Sequence, residues 1–197
     1  EPRVEIEESL FKVRMKVWTG ARSTVNRASV TFVGAIADDK NASRRAALEK
    51  AWPLPEGSFF SQKLWNNAKR DLLTDLRNNA FPRAKIADSR AAVDLEKTAV
   101  GLDVKVDSGP VMHIGKISYE GLERYDESVL TPLQQFKAGD VYTLQALLDF
   151  QTRLRDTLWF RSVTVLPDLA GLEEGPDRHE IDIRVVVVEN QSQRLTL

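Results

Sequence analysis

The chain has no cysteine and only two histidines, and its charges nearly cancel: 28 Lys and Arg against 29 Asp and Glu over 197 residues. Without cysteine there is no disulfide framework, thiolate zinc site or cysteine nucleophile, and the redox compartment stays open. A net charge of −1 removes any broad electrostatic reason to expect nucleic acid or anionic lipid as a partner. Long apolar runs are missing too. The clearest, residues 185–188, falls far short of the roughly 18 residues a membrane-spanning helix needs. The chain starts at Glu1 without a basic-then-apolar leader, so any targeting signal is expected to have been removed or to lie outside it. His113 and His179 each stand apart from a second His or Cys at ligand spacing and read as structural or solvated residues. Ser108 and Ser162 lack the glycine frame of a nucleophile elbow, and residues 34–37 lack the lysine and spacing of a phosphate loop. Asp126-Glu127 reads as a helix cap and Glu173-Glu174 as a solvated loop. No catalytic residue, cofactor site or metal site is expected, and the chain does not read as an enzyme.

What the chain does have is repetition. Residues 102–122, LDVKVDSGPVMHIGKISYEGL, hold two alternating apolar patterns split by Ser108-Gly109-Pro110. Proline fixes φ and lacks an N–H, so the break over 107–111 reads as a short stiff linker rather than a hairpin turn. A strand, a Thr-Gly break and a strand ending in glycine occur earlier, over 13–35, and 181–195 supplies a third strand with a polar exit. Gly121 aligns with Gly34 and Gly139 with Gly57, which makes the repeat domain-sized.

In the second copy a strand over 114–119 ends at Gly121. Asp126 is expected to cap a short helix over 127–130, and Thr143 a longer one with Leu144, Leu147, Leu148, Gln151, Leu154 and Leu158 on one stripe. Period-two alternation follows in Val163 and Val165, then in Ile181, Ile183, Val185 and Val187. The first copy reads as a strand over 28–33, a helix over 46–52 stopped by Pro53, and a helix capped by Ser61 carrying Leu64, Trp65, Ala68, Leu72 and Leu76. Strands within 83–93 and over 99–106 close it. Trp52 and Trp65 read as core, and Trp159 and Phe160 as anchors locking a helix to the sheet. Arg153, Arg155 and Arg161, interleaved with Asp149 and Asp156, read as a solvated face. The fold class is α+β: tandem β-α-α-β-β units, each a three-stranded mixed sheet covered on one face by two helices. The most apolar strand, 181–188, belongs in the centre, with 162–167 and 116–121 at the edges.

The order strand, glycine, Gly139-Asp140-Val141-Tyr142 turn, arginine-bearing helix and Leu158-Trp159-Phe160-Arg161-Ser162-Val163 resembles a polypeptide-transport-associated (POTRA) domain. The tandem is similar to the periplasmic arm of outer-membrane β-barrel assembly proteins. The segments NNAFPRAKI, VDSGPVMHIGKISYEG and FKAGDVY most resemble the translocation-and-assembly-module (TamA-like) branch. Where the family has glycine before an aromatic pair, this chain has Leu158, and the first unit has Asn79-Ala80-Phe81. The resemblance divides the chain into residues 1–21, the final strand or strands of a preceding unit; 22–109 and 110–192, two POTRA-like units; and 193–197, the lead-in to a following membrane β-barrel.

The resemblance implies a non-catalytic periplasmic segment of an outer-membrane protein in a Gram-negative bacterium. Its partners would be an inner-membrane-anchored translocation protein, unfolded outer-membrane client polypeptides and the C-terminal barrel of its own chain, with no nucleic acid and no cofactor. Binding is expected by β-strand addition along the candidate edge Ser162, Val163, Thr164, Val165 and Leu166, with Gly121, Gly139, Trp159 and Phe160 as structural anchors. The alternatives are the arm of a general barrel insertase or of a two-partner secretion transporter; an RNA-binding β-α-α-β module or an enzyme subdomain fits less well, because neither a basic face nor paired reactive groups are present.

Overall fold

The computed structural model describes residues 3–7, 12–16, 22–174 and 178–190. An antiparallel pair, β1 (Arg3–Glu7) and β2 (Lys12–Lys16), opens the chain. Then come β3 (Thr24–Val33), α1 (Ala42–Lys50), α2 (Gln62–Asn78), β4 (Lys85–Asp94) and β5 (Ala99–Asp107). A second series follows: β6 (His113–Glu120), two short 3₁₀ turns, α3 (Leu144–Asp156), β7 (Phe160–Pro167), the one-turn α4 (Gly171–Glu174) and β8 (Glu180–Glu189). Each series makes a three-stranded mixed sheet, in the orders β3-β5-β4 and β6-β8-β7. The last strand of each unit runs parallel to the first and antiparallel to the one before it. Apolar character sets this order: β5 and β8 bury alternate residues under the helices and are paired on both sides, as their sequences require.

The two units share more than strand order. In the first, Val25 N–H donates to the Ser58 carbonyl at 2.8 Å, and Gly57 N–H donates to the Val25 carbonyl at 2.7 Å. In the second, Ile114 N–H donates to the Asp140 carbonyl at 2.8 Å, and Gly139 N–H to the Ile114 carbonyl at 2.7 Å. Gly57 and Gly139 turn the chain back onto the first strand with φ of 84° and 91°, which a side chain would strain. β3 is also longer than the alternation over 28–33 indicates, because its start is held by residues 57–59, by pairing with β5 and by the buried Val25.

Ser61 and Thr143 cap α2 and α3, their side-chain oxygens accepting from Leu64 N–H and Ala146 N–H. Asp126 accepts from Ser128 N–H, but the turn it starts is 3₁₀, Glu127–Val129, and not an α-helix. In α2 the buried stripe is Trp65, Ala68, Leu72 and Leu76, with Leu64 outside it. The stripe expected on α3 needs correcting: Leu147, Phe150 and Leu154 are buried, whereas Leu148 is exposed and Leu158 lies past the helix end, 78% exposed. An α-helix advances 100° per residue, so 147, 150 and 154 share a face that 148 leaves. The helix expected at 46–52 begins earlier, at Ala42, after two 3₁₀ turns.

Residues 107–111 are not a free-standing linker. Ser108 is fully buried; its Oγ accepts from Ile36 N–H and donates to the Gly109 carbonyl, while its own N–H returns to the Val33 carbonyl. Ala35 N–H donates to the Gly109 carbonyl as well. The joint is thus folded into the end of β3, and two backbone bonds then couple the units, Ala80 N–H to the Tyr142 carbonyl and Met112 N–H to the Ala80 carbonyl, while Tyr142 N–H to the Met112 carbonyl closes the ring within the second unit. The lead-in expected at 193–197 lies outside the described residues.

Candidate peptide-binding edge

β7 forms a margin of the second sheet, and its burial alternates. Phe160, Val163 and Val165 point into the core under α3, Ser162 and Leu166 are exposed, and Thr164 is half-buried. Opposite it on β8, Ser162 pairs with Val188, Thr164 with Val186 and Val165 with Val185. In an antiparallel pair successive residues turn their N–H and C=O to opposite sides. Which residues of β7 look outward is settled by α3. Gln151 Oε1 accepts from Val165 N–H at 2.9 Å, and the Arg155 guanidinium donates to the Val163 carbonyl at 3.1 Å. Val163 and Val165 therefore present their backbone to the open side, and Thr164 faces Val186.

Gln151 and Arg155 sit one turn apart on α3 and reach over the margin of the sheet. Neither stands out in the sequence. Gln151 is one residue in an apolar stripe, and Arg155 reads as part of a solvated face; in the structure Arg153 also departs from that face, because its Nε donates to the Leu133 carbonyl. The first unit lacks the device. Relative to the capping residues, Lys69 and Leu73 of α2 stand where Gln151 and Arg155 stand on α3. Lys69 Nζ lies 4.8 Å over the Trp65 ring and 3.4 Å from Ser89 Oγ, and Leu73 packs on the core. Among the described residues, no α2 side chain bonds the backbone of β4.

The anchor residues divide by role. Gly121 has φ of 85°, and a methyl group there would overlap the Val187 carbonyl oxygen, so glycine lets β6 close against β8. Gly139 meets nothing within 4 Å and is set by its φ alone. Phe160 is buried. Trp159 is half-buried and packs against the core of the second unit; its ring stacks on Tyr125 at 5.4 Å between centroids and 18° between planes. That stack belongs to a clamp at the end of β8. The Glu189 carboxylate accepts from the N–H groups of Glu123, Arg124 and Tyr125 at 2.9, 3.0 and 3.2 Å and from Arg124 Nε at 2.9 Å. Desolvation works to raise its pKa, but these donors outweigh it and hold the carboxyl at about 2.

A cleft of about 680 Å³ runs along the seam of the two units, walled by Arg77, Arg83, Tyr142, Leu144 and Leu172. Its arginines are engaged in structure, Arg77 Nε on the Ala84 carbonyl and Arg83 on the Leu172 carbonyl. His113 and His179 meet through backbone, His113 N–H donating to the His179 carbonyl at 2.9 Å. Among the described residues no group of three His, Cys, Asp or Glu side chains is placed to hold a metal ion.

Residues 112–190 match the POTRA family model, described as a surface antigen variable number repeat. In structure the chain is similar to POTRA3-5 of BamA from Haemophilus influenzae, with a TM-score of 0.55, 17% identity and coverage of 96% of this chain and 71% of that one. It is also similar to BamA from Haemophilus ducreyi lacking POTRA domains 1-3, with a TM-score of 0.60 and 18% identity; the match covers 84% of this chain and 29% of that one. POTRA1-2 of the periplasmic domain of Omp85 from Anabaena matches with a TM-score of 0.50 at 12% identity, over 89% of this chain and all of that one. At such identities the likeness establishes the fold: the α+β units expected from the sequence are present and are similar to those of POTRA domains.

Proposed function

We propose that this chain, whose residues 112–190 match the POTRA family model and whose first unit repeats the same strand order, is a non-catalytic periplasmic arm of an outer-membrane protein assembly or translocation factor. It holds extended segments of partner or client polypeptide by adding them to β7 as a further strand. The observation that carries this reading is the margin itself: Val163 and Val165 turn their backbone N–H and C=O away from β8, toward the side where a peptide would lie. The fold likeness to BamA and to the periplasmic domain of Omp85 supports the compartment and the attachment to a C-terminal barrel. The clients are unfolded outer-membrane polypeptides, and an inner-membrane-anchored translocation protein is the partner on the other side. The words NNAFPRAKI and FKAGDVY favour the translocation-and-assembly branch over a general insertase.

Each added backbone hydrogen bond contributes about 0.5–1.5 kcal/mol net, so a short strand is held weakly and released readily. The test is amide exchange on the chain with and without a urea-unfolded outer-membrane protein diluted into it. Slowed exchange at β7 is expected; unchanged β7 amides alongside slowed exchange elsewhere would move the binding surface off this edge.

A further inference from the structure

We infer that the β7 edge is held closed by its own helix: Gln151 and Arg155 occupy the hydrogen-bonding positions of an incoming strand, and a peptide binds only by displacing them. This rests on the reading of β7 as a strand-accepting edge. In a parallel sheet one residue of the neighbouring strand gives its N–H to the carbonyl of residue i and takes, at its own carbonyl, the N–H of residue i+2. Arg155 donates to the Val163 carbonyl at 3.1 Å and Gln151 accepts from Val165 N–H at 2.9 Å. The two side chains together reproduce the donor and acceptor of a single residue of a parallel strand lying opposite Thr164.

An antiparallel strand meets the same obstacle, because it too needs the Val163 carbonyl and the Val165 N–H. Either orientation must therefore break two existing bonds before it gains its own. Since an exposed sheet margin invites pairing with any extended chain, the caps also set a threshold. A segment too short to make more backbone bonds than it displaces gains nothing by docking, and longer extended segments are preferred.

The experiment uses the full chain and, as probe, a synthetic peptide of alternating threonine and valine matched in length to β7, with binding read by fluorescence anisotropy and its position by amide exchange at Val163 and Val165. The double variant Gln151→Ala/Arg155→Ala is expected to bind about tenfold more tightly than the parent chain, a change of about 1.4 kcal/mol. Its free Val165 amide should also exchange faster. The variant Gln151→Glu/Arg155→Lys keeps an acceptor and a donor in place and is expected to bind no more tightly than the parent. Equal affinity of the alanine variant and the parent, with Val165 protected by the peptide in both, would overturn the closed edge and leave strand addition standing. Absence of protection at Val163 and Val165 in both, with peptide bound elsewhere, would overturn both readings.

Discussion

The backbone N–H of Ala80 donates to the carbonyl of Tyr142 at 2.9 Å, although Ala80 follows the last helix of the first unit and Tyr142 precedes the main helix of the second. Ala80 holds φ of 67° to do so, and its own carbonyl takes the N–H of Met112. The ring of bonds through Ala80, Met112 and Tyr142 joins the units by backbone, independently of side-chain chemistry. Two of its three bonds cross from one unit to the other. Separately expressed halves, cut between Gly109 and Pro110, should each melt below the intact chain, by about 1–3 kcal/mol for two backbone bonds lost to water. Calorimetry of the intact chain and both halves checks this; halves as stable as the parent would make the seam energetically neutral.

Proline substitutions on β7 should separate inward from outward residues. Val165→Pro removes an N–H that meets only Gln151, and the ladder to β8 survives, so the cost should stay within about 1 kcal/mol. Thr164→Pro removes the donor opposite Val186 and should cost about 1–3 kcal/mol or more. Thermal melts of both variants decide, and equal destabilisation would refute the assignment of sides.

Leu158 lies in left-handed backbone, φ 60°, with 78% of its surface exposed. A left-handed conformation costs a residue with a Cβ about 1–2 kcal/mol, part of which glycine returns through the greater freedom of its unfolded chain. Leu158→Gly should therefore stabilise the second unit by roughly 0.5–1 kcal/mol. Chemical denaturation measures it, and a loss of stability would mean that Leu158 makes contacts its exposure hides.

Gly121 and Gly139 have similar φ but different surroundings, which makes them a matched pair. Gly139→Ala should cost only the conformational term, about 1–2 kcal/mol, because the new methyl meets open space. Gly121→Ala adds a clash with the Val187 carbonyl, a backbone atom of the central strand that cannot step aside. It should be clearly the more damaging of the two in urea titrations.

Glu189 predicts an acid transition at the end of β8. Its carboxyl, held at about 2 in the fold, stands below the ordinary glutamate value of 4.5, so the folded state binds fewer protons than the unfolded one between these values. The clamp's contribution is fully present above about pH 4.5 and is lost as pH falls through about 2. NMR titration of the Glu123, Arg124 and Tyr125 amides should show a shared midpoint near that lower value. In Glu189→Gln the midpoint should disappear.

Much of the fold was legible in the sequence for local reasons. Ser61 and Thr143 announce helix starts because a side-chain oxygen three residues ahead of a free N–H is a short-range device. The apolar run 181–188 announces a central strand because only a strand paired on both sides stays so apolar. Gly139 marks a turn through its own φ. What only the tertiary structure decided depends on groups far apart in the chain or on facing elements. Phe150 displaced Leu148 from the buried stripe of α3, since the helix's rotation about its axis is set by what it packs against. Residues 107–111 read in sequence as a stiff linker, whereas in the fold Ile36 and Ala35 bond them from just past the end of β3. The same holds for the candidate edge. Alternation picks out β7 as a strand, but a strand's period of two leaves undetermined which residues turn their backbone outward. That choice was made by the register with β8 and became visible through Gln151 and Arg155, two side chains whose targets are backbone atoms and so leave no complementary residue in the sequence to reveal them.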